Sequence, residues 1–312
     1  MSDHINLKRP IDLTEPESTQ NLLDVIQAGL GRPGDVSTKA AALADDIRTL
    51  GAARRDIGEA SEFIEELCGV VVCVAFLLPP GHPWQDTFVQ TMQNVQQTDG
   101  DYESDEDYQS DEDYESNGDY EQESDEGYAS DGDDEQLDEV EFLDWKYLPE
   151  MGMFMRDFWF DPTTLDDWTP EEVSGWENLN SFFARFKTNT FERWVTFPIW
   201  QLSDALEEKL DKGPILNSRL WIATEWILFY GEFIFEHQAS EEKLDENRAR
   251  ALQGGSLCSG IAPLSLARLA FWKKRLLEML DEREALELSG EMAERVAKSA
   301  EMIGEFQSSQ SQ

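Results

Sequence analysis

Residues 99–139 constrain the fold of this chain more than any other stretch, because they have almost nothing to place in a core. Tyr102, Tyr108, Tyr114, Tyr120 and Tyr128 recur with a period near six, and Ser104, Ser110, Ser116, Ser124 and Ser130 keep nearly the same beat. Such a period matches neither the turn of an α-helix nor the alternation of a strand with one buried face. From 99 to 145 there are 23 Asp and Glu and no Lys or Arg. Apart from tyrosine, nothing offsets the entropy of ordering such a segment. The sequence therefore predicts a disordered acidic insertion over 99–139. It would loop out of one helical domain built from 19–98 and 140–306, with a flexible tail at 1–18 and a frayed one at 307–312.

That tract holds more than half of the formal net charge of -41. A chain so acidic repels nucleic acid and anionic membrane surfaces, so a partner chosen by charge is a basic protein. The expected partner list is a basic protein through 99–139, no nucleic acid and no membrane. Three cysteines, Cys68, Cys73 and Cys258, argue against a disulfide scaffold and fit a reducing compartment. The polar start with Lys8-Arg9 reads as lacking a secretory leader, so the expected location is cytoplasmic or nuclear. Two apolar stretches resemble membrane spans. Residues 67–78 fall short of the roughly 20 that a span needs. Residues 215–235 carry Arg219, Glu225 and Glu232, which are costly at a bilayer centre. Both read as buried helices.

Outside the tract the rhythm is helical, and the fold expected is all-α, with about nine or ten helices. Phe63, Leu67, Val70, Val74 and Leu77 fall on one helix face, closed by Pro79-Pro80. Pro83 opens the next helix, which runs out near Gln97. Leu148, Met151, Met155 and Phe158 line another. Thr169-Pro170-Glu171-Glu172 is a capping box before Trp176, Leu179, Phe183 and Phe186. A helix with Ile199, Leu202, Leu206 and Leu210 on one face begins near Pro198, 216–237 is apolar nearly all round and hence central, and 254–263 is a loop. Two amphipathic helices follow, around Trp272 and around Val296.

Six segments then point to a family. They are 76–89 (FLLPPGHPWQDTFV), 145–159 (WKYLPEMGMFMRDFW), 176–187 (WENLNSFFARFK), 200–208 (WQLSDALEE), 223–233 (ATEWILFYGEF) and 268–276 (RLAFWKKRL). In this order they resemble a large fungal family classed as a domain of unknown function. The resemblance implies a helical domain and a fungal source, and it implies no activity. The acidic repeat departs from the family pattern and would sit in a connecting loop, where insertions are tolerated.

No catalytic, cofactor or metal constellation emerges. Residues 29–34 (GLGRPG) match G-x-G-x-x-G, but a helical pattern precedes them and Pro33 sits within the turn, so they read as a loop between helices. Of the three histidines, His4 lies in the tail and His82 starts a helix. His237 sits near a helix C-terminus, where the dipole favours a partly positive imidazole. The candidate polar residues are Asn178, Asn180 and Arg185, on a helix whose other face is aromatic. Asn180 either ties two helices together or offers a polar contact in a pocket. Ser104, Ser110, Ser116, Ser124 and Ser130 are candidate sites for an acid-directed kinase, since acids follow each of them. Two functions stay open: a non-enzymatic interaction or scaffold protein tuned by the acidic insertion, and an enzyme or small-molecule binder with a Trp-lined pocket between helices.

Overall fold

A computed structural model describes residues 5–7, 17–53, 57–96, 151–187, 195–240 and 242–310, with no side-chain detail at 57 and 151–154. The expected insertion over 99–139 and its five serines lie outside these residues. The described residues are all-α, with eleven α-helices and no strand. The helices are α1 (Glu17–Leu30), α2 (Val36–Ala52), α3 (Ile57–Leu77), α4 (Pro83–Gln96), α5 (Met151–Phe158), α6 (Pro170–Arg185), α7 (Thr196–Leu206), α8 (Pro214–Ala239), α9 (Glu246–Ala251), α10 (Leu266–Asp281) and α11 (Gly290–Ser309).

Local chemistry sets many of the helix starts. Thr169 Oγ1 accepts from the amide of Glu172, and the Glu172 carboxylate accepts from the Thr169 amide at 2.7 Å, so the capping box is complete. Pro83 and Pro170 occupy first-turn positions, where the missing amide costs nothing. His82 Nδ1 accepts from the Trp84 amide at 3.2 Å and so helps to start α4. Asp35, Asp245, Ser265 and Ser289 cap α2, α9, α10 and α11. Residues 29–34 join the end of α1 to α2, as a loop between helices should.

α8 is the hub. Its 26 residues are apolar on nearly every side, and at about 1.5 Å per residue it spans roughly 39 Å. α6, α7, α10 and α11 pack on it. α3 packs on α6 and reaches α1 and α2, while α2 lies along α4. Core side chains run from Leu7 to Ile303, with Trp176, Trp226 and Trp272 fully buried among them. α3 and α6 approach closely at Gly175, where a Cβ would stand 2.0 Å from the Phe76 ring. Among the described residues no helix is long and apolar enough to cross a membrane.

Candidate functional site

The site is built on the end of α7. Glu207 caps that helix and Glu208 follows it, and the last turn holds no basic residue. Two carboxylates at a helix C-terminus oppose its dipole, so something else must hold them there. Arg268, in the first turn of α10, does so for Glu207, and both side chains are fully buried. Arg268 Nε donates to Oε1 at 2.6 Å and Nη2 donates to Oε2 at 3.0 Å, a bidentate pair. Arg268 Nη1 donates to the carbonyls of Leu252 and Pro263, at 2.7 and 2.9 Å. Glu207 also accepts from the Trp272 indole at 2.6 Å, the Gly255 amide at 2.7 Å and the Ser203 hydroxyl at 2.9 Å. Burial pushes the Glu207 carboxyl up, but the Arg268 bonds and charge, with the Gly255 and Trp272 donors, outweigh it and hold it below the usual range.

This pair seats the loop between α9 and α10. The Leu257 amide donates to the Glu207 carbonyl at 2.8 Å. Ser256 donates its amide and hydroxyl to Glu208, at 2.8 and 2.6 Å. The loop lies this low because Gly255 has no side chain. A Cβ there would stand 2.5 Å from Glu208 Oε1 and 2.9 Å from Glu207 Cβ. Cys258 is buried under the loop, and its thiol is pushed up to about 11, first by burial and then by the Glu207 charge. A thiol held protonated is a poor nucleophile.

Between this loop, α7 and the segment after α5 opens a cavity of about 520 Å³. Its walls include Trp159, Trp176 and Trp200 and the carboxylates of Asp161, Asp204 and Glu208. A second pocket of about 460 Å³ shares Glu208, Gln253, Gly254 and Gly255 with it, so the two meet at the glycine pair. Trp159 packs edge-on against Trp176 with centroids 4.9 Å apart, and Trp200 donates its indole N–H to the Ala251 carbonyl at 2.7 Å. Asp161 caps the short 3-10 turn Pro162–Thr164 and accepts from Arg219 Nε at 3.0 Å. Asp204 is different: among the described residues no hydrogen bond reaches it. Burial raises its pKa by more than the Arg219 charge lowers it, and Asp161, Glu208 and Glu207 push the same way as burial. A perturbed carboxyl in a cleft is a mark of functional sites.

A second buried network lies at the hub. Glu225 of α8 is 1% exposed and pairs with Arg185 of α6 and with Arg295 of α11, the latter at 2.5 Å. Ser181 donates to Glu225 at 2.8 Å. Of the residues singled out by sequence, Arg185 therefore ties α6 to α8 through Glu225, which also holds α11. Asn180 is fully buried, donates to the Trp176 carbonyl at 3.0 Å and accepts from the Trp226 indole at 2.9 Å, tying α6 to α8. Asn178 donates to the Phe76 carbonyl at 2.9 Å, tying α6 to the end of α3. None of the three lines the cleft. His237 departs from expectation: burial lowers its pKa more than Glu242 raises it, so the neutral imidazole is favoured despite the helix end. It stacks on Phe233 with rings 8° from parallel.

Glu207, Asp204 and Arg268 were not singled out by sequence. The sequence hid them, because the apolar rhythm runs on to Leu210 and puts Lys209, not Glu207, at the expected helix end. The six segments that carried the resemblance do supply both networks. Glu207 and Arg268 come from two of them, and Arg185 and Glu225 from two more.

No curated protein and no solved structure matches the chain. The family described as protein of unknown function (DUF3632) matches residues 69–276, most of the chain and all the walls of the cleft. The chain belongs to this family.

Proposed function

We propose that this chain is a small-molecule-binding protein whose ligand sits in the cleft between α7, the segment after α5 and the Gly254-Gly255 loop. The observation that carries the reading is the cavity of about 520 Å³ walled by three tryptophans and three carboxylates. Its size falls in the range of small-molecule sites, which are concave, largely preformed and fixed by a few polar groups. The Glu207–Arg268 pair seats the loop at the rim. The test is a thermal-shift screen with anionic, neutral and cationic fragments, run beside a Thr164→Trp variant. Thr164 is exposed at the rim, so the substitution blocks the mouth and spares the core. Fragments should raise the melting temperature of the natural protein and not of the variant. Hits that stabilise both equally would sink the reading.

A second reading rests on the acidic tract. Under it the chain is an interaction protein that engages a basic partner through residues 99–139, with Ser104, Ser110, Ser116, Ser124 and Ser130 as kinase sites. Five phosphoserines would add roughly -8 to -10 of charge. The support is the 23 acids of residues 99–145, with no base among them. Partner capture that survives deletion of 99–139, or that ignores salt, would count against it. Both readings suit a cytoplasmic or nuclear protein of fungal origin, and one chain can do both.

A further inference from the structure

Elsewhere in the molecule, aromatic faces are covered by the chain's own arginines. Arg185 lies 3.8 Å from the centroid of Phe229, Arg295 lies 5.0 Å from that of Trp221, and Arg268 lies 5.3 Å from that of Trp272. Among the described residues no arginine or lysine covers Trp159, Trp200 or Phe160, the aromatic wall of the cleft. Phe160 is 52% exposed. Facing this wall are Asp161, Asp204 and Glu208, with one guanidinium, Arg219, paired to Asp161. Asp161 and Glu208 have their partners, whereas Asp204 has no hydrogen bond. The cleft therefore has an aromatic wall that no cation of the described residues covers, open to solvent at Phe160, and a carboxylate, Asp204, that no hydrogen bond among the described residues reaches.

A metal ion does not fit the arrangement. Among the described residues no three His, Cys, Asp or Glu are gathered to hold one. Aromatic faces with a carboxylate behind them suit a soft, weakly hydrated cation instead.

We propose, building on the reading of this cleft as a ligand site, that it takes a small organic cation: a protonated or quaternary amine. The ammonium sits among Trp159, Trp200 and Phe160, with Asp204 as its counter-ion. Cation binding draws Asp204 into its charged form, against burial and against Asp161, Glu207 and Glu208, and with the help of Arg219. Affinity for the cation should therefore tighten as pH rises through the titration of Asp204.

The test is calorimetric titration with choline and ethanolamine, each beside its uncharged carbon isostere, 3,3-dimethylbutan-1-ol and propan-1-ol. The proteins are the natural chain, Asp204→Asn and Thr164→Trp. At least one cation should bind the natural chain about tenfold more tightly than its isostere. Asp204→Asn should bring that ratio near one, and Thr164→Trp should abolish binding. An isostere that binds as well as its cation, or a cation preference that survives Asp204→Asn, overturns the proposal and leaves the ligand site standing. The same holds if neutral or anionic fragments bind at the Thr164-gated mouth and neither cation does. If no probe of any charge binds there, both readings fall together.

Discussion

Glu207 and Glu225 are both buried glutamates held by arginine, and the two regions around them use that pairing differently. At the hub, Glu225 joins α6, α8 and α11, three long helices that already share a large apolar contact. Its two arginines reach the surface, with side chains 17% and 19% exposed. At the cleft, Glu207 and Arg268 are both sealed, and they hold the backbone of the loop between α9 and α10. A buried ion pair is no more stabilising than a well-packed apolar pair, but losing one partner strands a charge. The lesson is that position decides the role. Between packed helices the charge is a supplement, whereas under a loop it sets the conformation.

The comparison breaks first at Arg268. Arg268→Met leaves Glu207 buried without its counter-charge and releases the carbonyls of Leu252 and Pro263, so it should cost about 3–5 kcal/mol in chemical denaturation. Adding Glu207→Leu should restore only part of this, because the donors of Gly255, Trp272 and Ser203 would then be orphaned. At the hub, Arg185→Met and Arg295→Met should each cost less, about 1–2 kcal/mol, since water can reach the vacated site and the other arginine remains. The double variant should cost more than the two together, because only then is Glu225 stranded. Equal losses at Arg268 and at either hub arginine would erase the distinction between the regions.

The smallest effect is a gain. The folded state raises the Asp204 pKa, so its favourable contribution is complete below the unfolded value and fades as pH rises through the folded one. Asp204→Asn does not titrate there. The variant should exceed the natural protein by about 0.5–1 kcal/mol at neutral pH. The difference should vanish below about pH 4, where an ordinary carboxyl is protonated too. Thermal melts across that range check the sign. A variant less stable at neutral pH would mean that Asp204 is structural. A stability gain beside a loss of cation binding is the usual trade at a binding site.

Much of this was legible in the sequence, for reasons specific to each element. α3, α4 and α6 announce themselves through apolar periodicity, α4 and α6 also through proline or threonine at their starts, and α8 through being apolar nearly all round. α2 is quieter: its buried face includes Ala40 and Ala44 beside Leu43 and Ile47, and alanine is a weak marker of burial. α9 has six residues and no buried side chain, so it carries no periodic signal at all. The expected helix from Ile199 to Leu210 stops at Leu206, because Glu207 turns away to meet Arg268. The cleft was the least legible feature. Its walls come from 159–164, 176, 200–208 and 253–255, and nothing local in those stretches says that they meet.

The Glu207–Arg268 contact also has a consequence in time. Its partners stand 61 residues apart in the chain, and neither charge leaves water cheaply until the other is beside it. Such a pair joins late, after the apolar faces around it have packed and excluded water. We expect the body around α8 to assemble first and the rim of the cleft to close last, and the rim to be the first part to reopen. Amide exchange faster at Gly255 than at Trp226 would be its signature, and equal protection would count against it. On that order of events, a newly made chain would be a folded object for a while before it had anywhere to hold a ligand.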